Sequence, residues 1–287
     1  MERLLLPPMR ILITGAAGML GFDLVAIAPA HTSALSRDQL DITDEQAVRD
    51  AIARIQPDVV INCAAWTDVD GAEGAFDDAL EVNGRGAGLV AGAAAAAGAW
   101  TVHVSSDYVF DGSKASAYVE SDAVGPISAY GRSKLAGEEA VAAAAPDAHT
   151  IVRSSWLFGV GGPCFPKTIV KLASEREVLR VVDDQVGCPT YTGDLAVALL
   201  ELAASRVPGV VHVAAGDSCS WFEFATAIVA AAGESCTVEP CATSEFPRPA
   251  RRPANSVLVT ERGPEVPALP SWRQGLEAFM ATGVVTA

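Results

Sequence analysis

The stretch "RILITGAAGMLGFDL" constrains this chain more than any other part of it. The run "RILIT" (10–14) has the apolar character of a strand buried on both faces, and the chain passes directly into a helical pattern through Gly15, Gly18 and Gly21. A G-x-x-G-x-x-G turn at that junction supplies a tight bend and leaves backbone room for a pyrophosphate. It also aims the free N–H groups and dipole of a helix N-terminus at the anion. Three glycines can equally serve packing alone; the strand–turn–helix context favours a ligand. Gly15, Gly18 and Gly21, with Met19 and Leu20 at the helix head, are therefore read as a dinucleotide-binding turn.

The segments beyond the turn set the architecture. "DVVIN" (58–62), "TVHVS" (101–105) and "TIVRS" (150–154) are further short apolar runs. Between them lie "DEQAVRDAIARI", with apolar residues at Ala47, Ile52 and Ile55, and an Ala-rich helical stretch after Asn83. Strands alternating with helices at this spacing predict a parallel sheet with helices on both faces. After about residue 155 the pattern changes to two amphipathic helices ("FPKTIVKLASE", "GDLAVALLELAAS"), two strands ("EVLRVV", "GVVHVA") and the Pro/Arg-rich "FPRPARRPANS". The expected fold is α/β: a Rossmann-like doubly wound parallel sheet over 9–155. A smaller, partly interleaved C-terminal substrate lobe is expected over 156–287, with some segments returning to the main sheet.

Composition narrows the function. With 287 residues, half of them apolar, the chain can bury a full core. No internal repeat is visible. The N-terminal "MERLLLPPMR" lacks a signal peptide's apolar region, and "GLVAGAAAAAGAW" is too short and Ala/Gly-rich for a membrane span, so a cytoplasmic location is expected. Six cysteines without a C-x-x-C pair, and four scattered histidines, predict reduced thiols and no metal centre. A net charge of −15 argues against nucleic acid and anionic membranes as partners, so an anionic ligand must be met by local basic groups.

Arg37 is one such group. Where a ribose 2′-OH would be held after the second strand, Ser36 and Arg37 stand in place of an acidic residue. An Arg there suits a 2′-phosphate and hence NADPH, with NADH possible; the other reading is a solvated arginine beside Asp38. Asp41 and Ile42 fall where a side chain and a backbone amide can hold adenine. Ala64, Ala65 and Trp66 come after the third strand, at the carboxyl edge of the sheet where ligands lie in open α/β folds.

Tyr130 and Lys134 lie four apart in the helical "SAYGRSKLAGEEAV" and so share a face. A phenol exchanges protons poorly at neutral pH unless a cation favours its phenolate, and Lys134 is the cation within reach. Ser106 ends the fourth strand and faces the same edge as the glycine turn, where its hydroxyl can donate to a substrate oxygen while Tyr130 delivers the proton. Ser105 reads as a structural hydroxyl.

These segments, with "NCAAWTDVDGAE", "SSDYVFDG", "YGRSKLAGE", "RSSWLFG", "DDQVGCPTY" and "RPARRPANS" in that order, resemble the dTDP-4-dehydrorhamnose reductases, a group of the extended short-chain dehydrogenase/reductases. The likeness runs over nearly the whole chain from Met9. It implies hydride transfer from NAD(P)H to C4 of a dTDP-4-keto-6-deoxyhexose, the expected reaction being dTDP-4-dehydrorhamnose to dTDP-L-rhamnose. By the resemblance Tyr130 is the proton donor, Lys134 its activator and a ribose ligand, and Ser106 the tuning hydroxyl where the family usually has Thr. Asp107 and Trp156, with Tyr108 in the same segment as Asp107, match positions near the sugar nucleotide. Phe165, Lys167, Arg252 and Asn255 match substrate-binding segments of the small lobe. A purely structural Arg252 would instead pair with Glu245 or Glu261.

The chain departs from the family in places. Asp23 and Gly193 stand where some members carry glutamates that hold an intersubunit magnesium, so no metal is assigned and the chain is expected to be a monomer or homodimer. Trp66 replaces the common Tyr or His. Competing readings are a 4-ketoreductase for another dTDP-deoxysugar or dihydrostreptose-type unit, and a non-catalytic regulatory subunit. Intact Ser106, Tyr130 and Lys134 argue against the regulatory subunit.

Overall fold

The computed structural model describes residues 9–284. In chain order the first part contains β1 (Ile11–Thr14), α1 (Met19–Ile27), β2 (Thr32–Leu35), α2 (Glu45–Ile55), β3 (Val59–Asn62), α3 (Phe76–Leu80), α4 (Ala87–Ala96), β4 (Trp100–Ser106), α5 (Ala129–Ala144) and β5 (His149–Ser154). The second contains β6 (Leu157–Phe158), α6 (Phe165–Glu175), β7 (Val178–Val182), β8 (Val186–Gly187), β9 (Thr190–Tyr191), α7 (Thr192–Ser205), β10 (Gly209–His212), β11 (Cys219–Ser220), α8 (Trp221–Ala232), β12 (Thr237–Cys241) and α9 (Trp272–Met280).

The main sheet has six strands in the order β10-β5-β4-β3-β1-β2, every pairing parallel. The chain winds from β1 outward to β2, then returns to the other side of β1 with β3. The crevice above the carboxyl ends of β1 and β3 is thus the point where strand order reverses, the place where open α/β sheets take ligands. Every residue of β1 and β3 is buried, which is why both runs are apolar without alternation.

Local signals explain the helices. Asp44 caps α2 by accepting from Ala47 N (3.0 Å). The helix buries Val48, Ala51 and Ile52, so its inner face is turned slightly from the expected Ala47, Ile52 and Ile55, of which Ala47 and Ile55 flank the core. Ser128 caps α5 by accepting from Gly131 N (3.1 Å), which puts Tyr130 in the first turn. The buried face of α5 is unusually polar, carrying Ser133, Lys134 and Glu138 inward beside Val141. Between α3 and α4 the helix widens into a π segment over 81–86 that includes Asn83.

The sixth strand, β10, comes from the later half of the chain, as does α7, which packs on α1. Leu195, Leu199 and Leu202 of α7 are fully buried in one cluster with Ile11, Ile13 and Leu24. The smaller lobe has a separate core of Phe158, Phe224, Ile228, Leu276, Phe279 and the fully buried Trp272. It is built around the parallel pair β7/β12, with α8 and α9 each opened by a capping box (Ser220 with Glu223, Ser271 with Gln274). A strap over 253–259 ties the lobes together: Val186 N donates to Ala254 O (2.9 Å), Tyr118 N to Val257 O (2.8 Å) and Val259 N to Tyr118 O (2.9 Å). All six cysteines are free. Among the described residues no helix is long and apolar enough to cross a membrane.

Because α7 shares the core of the main sheet, Leu199→Ala is expected to cost about 2–5 kcal/mol, the usual range for a buried Leu truncation. Urea unfolding monitored by circular dichroism measures it; a loss under about 0.5 kcal/mol, the range of surface changes, would detach α7 from that core.

Candidate active site

The glycine turn is held where no side chain fits. Gly15 has φ +69°, and a Cβ on it would lie 2.6 Å from Ala64 N and 2.8 Å from the Cys63 carbonyl carbon. A Cβ on Gly21 would lie 2.3 Å from Gly15 O, so the first turn of α1 rests on the loop. Gly18 caps α1 with no side-chain bond, which leaves the leading N–H groups of Met19, Leu20 and Gly21 to the crevice.

Behind the turn a buried polar chain fixes its position. Thr14 Oγ1 donates to Asn62 Oδ1 (2.6 Å), which also accepts from Ala64 N (3.2 Å). Asn62 Nδ2 in turn lies 3.1 Å from His103 Nδ1. Burial, with Lys134 nearby, holds the His103 imidazole well below its usual pKa, so it is neutral. Asn83, from the π segment, clamps the next loop residue on both sides: it accepts from Trp66 N (2.8 Å) and donates to Trp66 O (3.1 Å) and Ser133 Oγ (2.9 Å). Neither Asn62 nor Asn83 stands out in the sequence. Asn62 ends its strand as Ser106 ends β4, and that shared edge is the one signal that points to it.

Arg37, Asp41 and Trp66 line one pocket of about 360 Å³ together with Thr43 and Glu81. Asp41 Oδ1 accepts from Thr43 N (2.9 Å) and Thr43 Oγ1 (2.7 Å), which holds its carboxyl below the ordinary range. Ile42 is buried in the core beside it.

The candidate groups Ser106, Asp107, Tyr130 and Lys134 lie near the carboxyl ends of β4 and β5. Lys134 is buried and donates to Val104 O (2.7 Å) rather than to Tyr130. Burial pulls its ammonium down to about 8, against the opposing pull of Glu138. Burial pushes the Tyr130 phenol up to about 12, a hydrogen bond with Ser106 opposing the rise and Asp107 adding to it. Tyr130 is therefore protonated over the whole neutral range. Tyr108 meets its ring edge-on at 5.7 Å.

Asp107 is 2% exposed. It accepts from Ser106 Oγ (2.9 Å) and Ser155 Oγ (3.1 Å), and burial, partly offset by bonds from Ser256, Ser106 and Ser155, raises its carboxyl to about 6.

Trp156, just past β5, has φ +48°, a left-handed conformation that strains a non-glycine residue. Its indole stacks on Trp221 at 3.5 Å and fills the space beside Gly187, where a Cβ would lie 2.4 Å from the ring. Phe165 completes this aromatic group, 4.5 Å from Trp221, a residue the sequence alone does not mark. Lys167 points elsewhere, donating to Val160 O (2.8 Å) and Gly162 O (2.9 Å) of a loop that lies against Met19 and Phe22 of α1. Asn255 spends both ends on backbone, donating to Lys114 O (2.7 Å) and accepting from Val257 N (3.0 Å). Arg252 pairs with Asp70 (3.0 Å) and donates to Ala250 O (3.0 Å). Neither Glu245, bound to Arg180, nor Glu261, which accepts from Ser121 N, is its partner.

A glycine turn closed against β3 at the switch-point crevice, with Ser106, Tyr130 and Lys134 near the same sheet edge, fits an oxidoreductase on a Rossmann-like sheet. Comparison narrows it further. The family model described as RmlD substrate binding domain matches residues 9–284, and the chain belongs to this family. It is 45% identical over 284 residues to a dTDP-4-dehydrorhamnose reductase of Mycolicibacterium smegmatis, covering 96% of this chain and 86% of that one. It is also 45% identical over 219 residues to a dTDP-4-keto-6-deoxy-D-glucose reductase of Streptomyces niveus, covering 75% and 76% of the two chains. The crystal structure of a dTDP-4-dehydrorhamnose reductase from Bacillus anthracis in complex with NADP superposes with a TM-score of 0.93 at 40% identity, covering 96% of this chain and 100% of that one.

The raised carboxyl of Asp107 has a stability consequence. Between its unfolded pKa near 3.8 and about 6, the folded protein binds the extra proton, so stability falls as pH rises through that window. Asp107→Asn removes the loss and is expected to stabilise the protein at pH 7 by up to about 3 kcal/mol, with the difference vanishing below about pH 4. Thermal melts of both proteins across pH 3.5–7.5 measure this, and an equal offset at every pH would contradict it.

Proposed function

We propose that this protein uses NADPH to reduce the C4 ketone of a dTDP-4-keto-6-deoxyhexose, converting dTDP-4-dehydrorhamnose to dTDP-L-rhamnose. The observation that carries this reading is the meeting of Ser106, Tyr130 and Lys134 at the same sheet edge as the glycine turn, in a chain whose relatives include named reductases of such sugars.

The residues fit the cofactor. Gly15 and Gly21 let the turn close tightly on β3 and on itself, and the uncapped head of α1 that this leaves at the crevice suits a pyrophosphate. The exposed Arg37 guanidinium, beside Asp41, suits a 2′-phosphate, while Asp41 and the Ile42 amide suit adenine. Bound NADPH supplies the hydride.

The chain's own groups do the rest. Lys134 has three donors, one of them given to Val104 O, and offers the others to the ribose hydroxyls. Tyr130 passes its proton to the ketone oxygen as the carbon accepts hydride. Ser106, whose proton is directed at Asp107 before substrate arrives, turns to the same oxygen. Asp107 and Tyr108 line the floor near the sugar, and the Trp156/Trp221/Phe165 group offers an apolar wall to it. Arg252 exchanges Asp70 for the diphosphate, a local cation in an acidic protein. Lys167 and Asn255 act by holding the loops around this site. The relative from Streptomyces niveus favours a second reading, in which another dTDP-4-keto-6-deoxysugar is reduced by the same residues.

Incubation with dTDP-4-dehydrorhamnose and NADPH is expected to oxidise the cofactor and yield dTDP-L-rhamnose, identified by mass and NMR. Turnover of dTDP-4-keto-6-deoxyglucose alone would select the second reading. Tyr130→Phe is expected to lower kcat by about 10²- to 10⁴-fold, the usual worth of a positioned general acid, with NADPH affinity nearly unchanged. A folded Tyr130→Phe protein turning over at the wild-type rate removes the assigned role.

Arg37→Ala tests cofactor choice. The preference for NADPH over NADH in kcat/KM is expected to narrow by about 1–3 kcal/mol, the worth of charge-assisted bonds to a phosphate. An unchanged ratio makes Arg37 a surface charge only.

A further inference from the structure

One turn beyond Lys134 on α5, Glu138 is 4% exposed and is held by three hydrogen bonds from two residues. Arg153 of β5, also 4% exposed, donates to it through Nε to Oε1 (2.9 Å) and Nη2 to Oε2 (2.7 Å), and Ser105 Oγ donates to Oε1 (2.5 Å). A buried ion pair of this kind contributes little to stability compared with apolar residues of the same volume. Its location is informative, because Ser105 adjoins Ser106, and positions 134 and 138 share the buried face of α5.

We infer that Glu138, held by Arg153 and Ser105, is a positioning residue that keeps Lys134 charged while Tyr130 gives up its proton. This rests on the roles proposed above for Tyr130 and Lys134. When the phenol proton passes to the ketone oxygen, a phenolate forms next to a desolvated ammonium, and solvent later returns the proton. A neutral amine could not stabilise that phenolate. Burial pulls Lys134 toward neutrality, and the groups around it offer little opposition. Cys63 on the β3 side has its thiol pushed up to about 12 and is uncharged, and His103 of β4 is neutral. Asp107 acts on Tyr130, which is itself protonated. Glu138 is the carboxylate that favours the charged lysine. The two hydrogen bonds from Arg153 and one from Ser105 fix that carboxylate in direction.

The test is the pH dependence of kcat/KM for ketone reduction, whose high-pH limb Lys134 sets well before the Tyr130 phenol titrates. In Glu138→Gln the limb is expected to move to lower pH by about one unit, the size of a lost neighbouring charge, while Glu138→Asp restores most of it. Because Gln leaves Arg153 buried without a partner, the double variant Glu138→Gln/Arg153→Gln is measured too; it removes one charge of each sign, so its limb is expected to lie between those of Glu138→Gln and the wild type. A limb that stays in place in Glu138→Gln while kcat and Tm fall at every pH overturns the inference, as does a double variant whose limb lies below that of Glu138→Gln. Tyr130→Phe run in parallel separates the two levels. Wild-type turnover in that variant rejects the site itself, whereas an inactive Tyr130→Phe with an immobile limb in Glu138→Gln rejects only the part given to Glu138.

Discussion

Everything at the crevice depends on a contact that has no side chain in it. Backbone atoms of Ala64 and Cys63 come so near Gly15 that a single added carbon would collide with them. Gly21, in the first turn of α1, repeats the condition against Gly15 O. These two approaches set the angle at which α1 leaves β1 and keep its unbonded N–H groups over the strand ends. The polar chain from Thr14 through Asn62 to His103 then locks β1, β3 and β4 in register at that edge.

Around this frame the charged and amide groups that the chain buries are answered in networks, while a few hydroxyls and ring nitrogens, among them Ser154 Oγ and His103 Nε2, stay without a partner. Asp107 is met by Ser106 and Ser155, Glu138 by Arg153 and Ser105, and Asn83 by the Trp66 backbone and Ser133. In a low-dielectric interior such networks are rigid, which suits the roles proposed for Tyr130, Ser106 and Lys134. The cost is visible in the raised Asp107 carboxyl and the lowered Lys134 ammonium, both consequences of desolvation.

The features legible in the sequence are those set by neighbours in the chain. The glycine turn, the buried strands and the four-residue spacing of Tyr130 and Lys134 are local, and the doubly wound sheet arises from their alternation. The features that sequence does not reveal depend on partners far along the chain. "GEEA" contains two glutamates, and nothing local says that Glu138 turns inward to Arg153 while Glu139 meets solvent. The partner of Arg252 is Asp70 rather than Glu245 or Glu261, because the strap returns over the loop after β3. Trp221 stands out only once Trp156 stacks on it. The inner face of α2 is turned by one position because Val48 and Ala51 meet the sheet at an angle that hydrophobic periodicity does not specify.

The place of β10 at the edge of the main sheet bears on the order in which the chain acquires its form during synthesis. Until residue 205 has emerged from the ribosome the hydrophobic face that α7 covers on α1 is bare, and until residue 212 has emerged β5 has an open hydrogen-bonding edge. The nascent chain therefore holds most of a nucleotide-binding sheet while still presenting an adhesive border, a state exposed to mispairing with its neighbours. Closing that border also brings in the segment from which the second lobe grows, so the two lobes cannot mature as separate beads on a string.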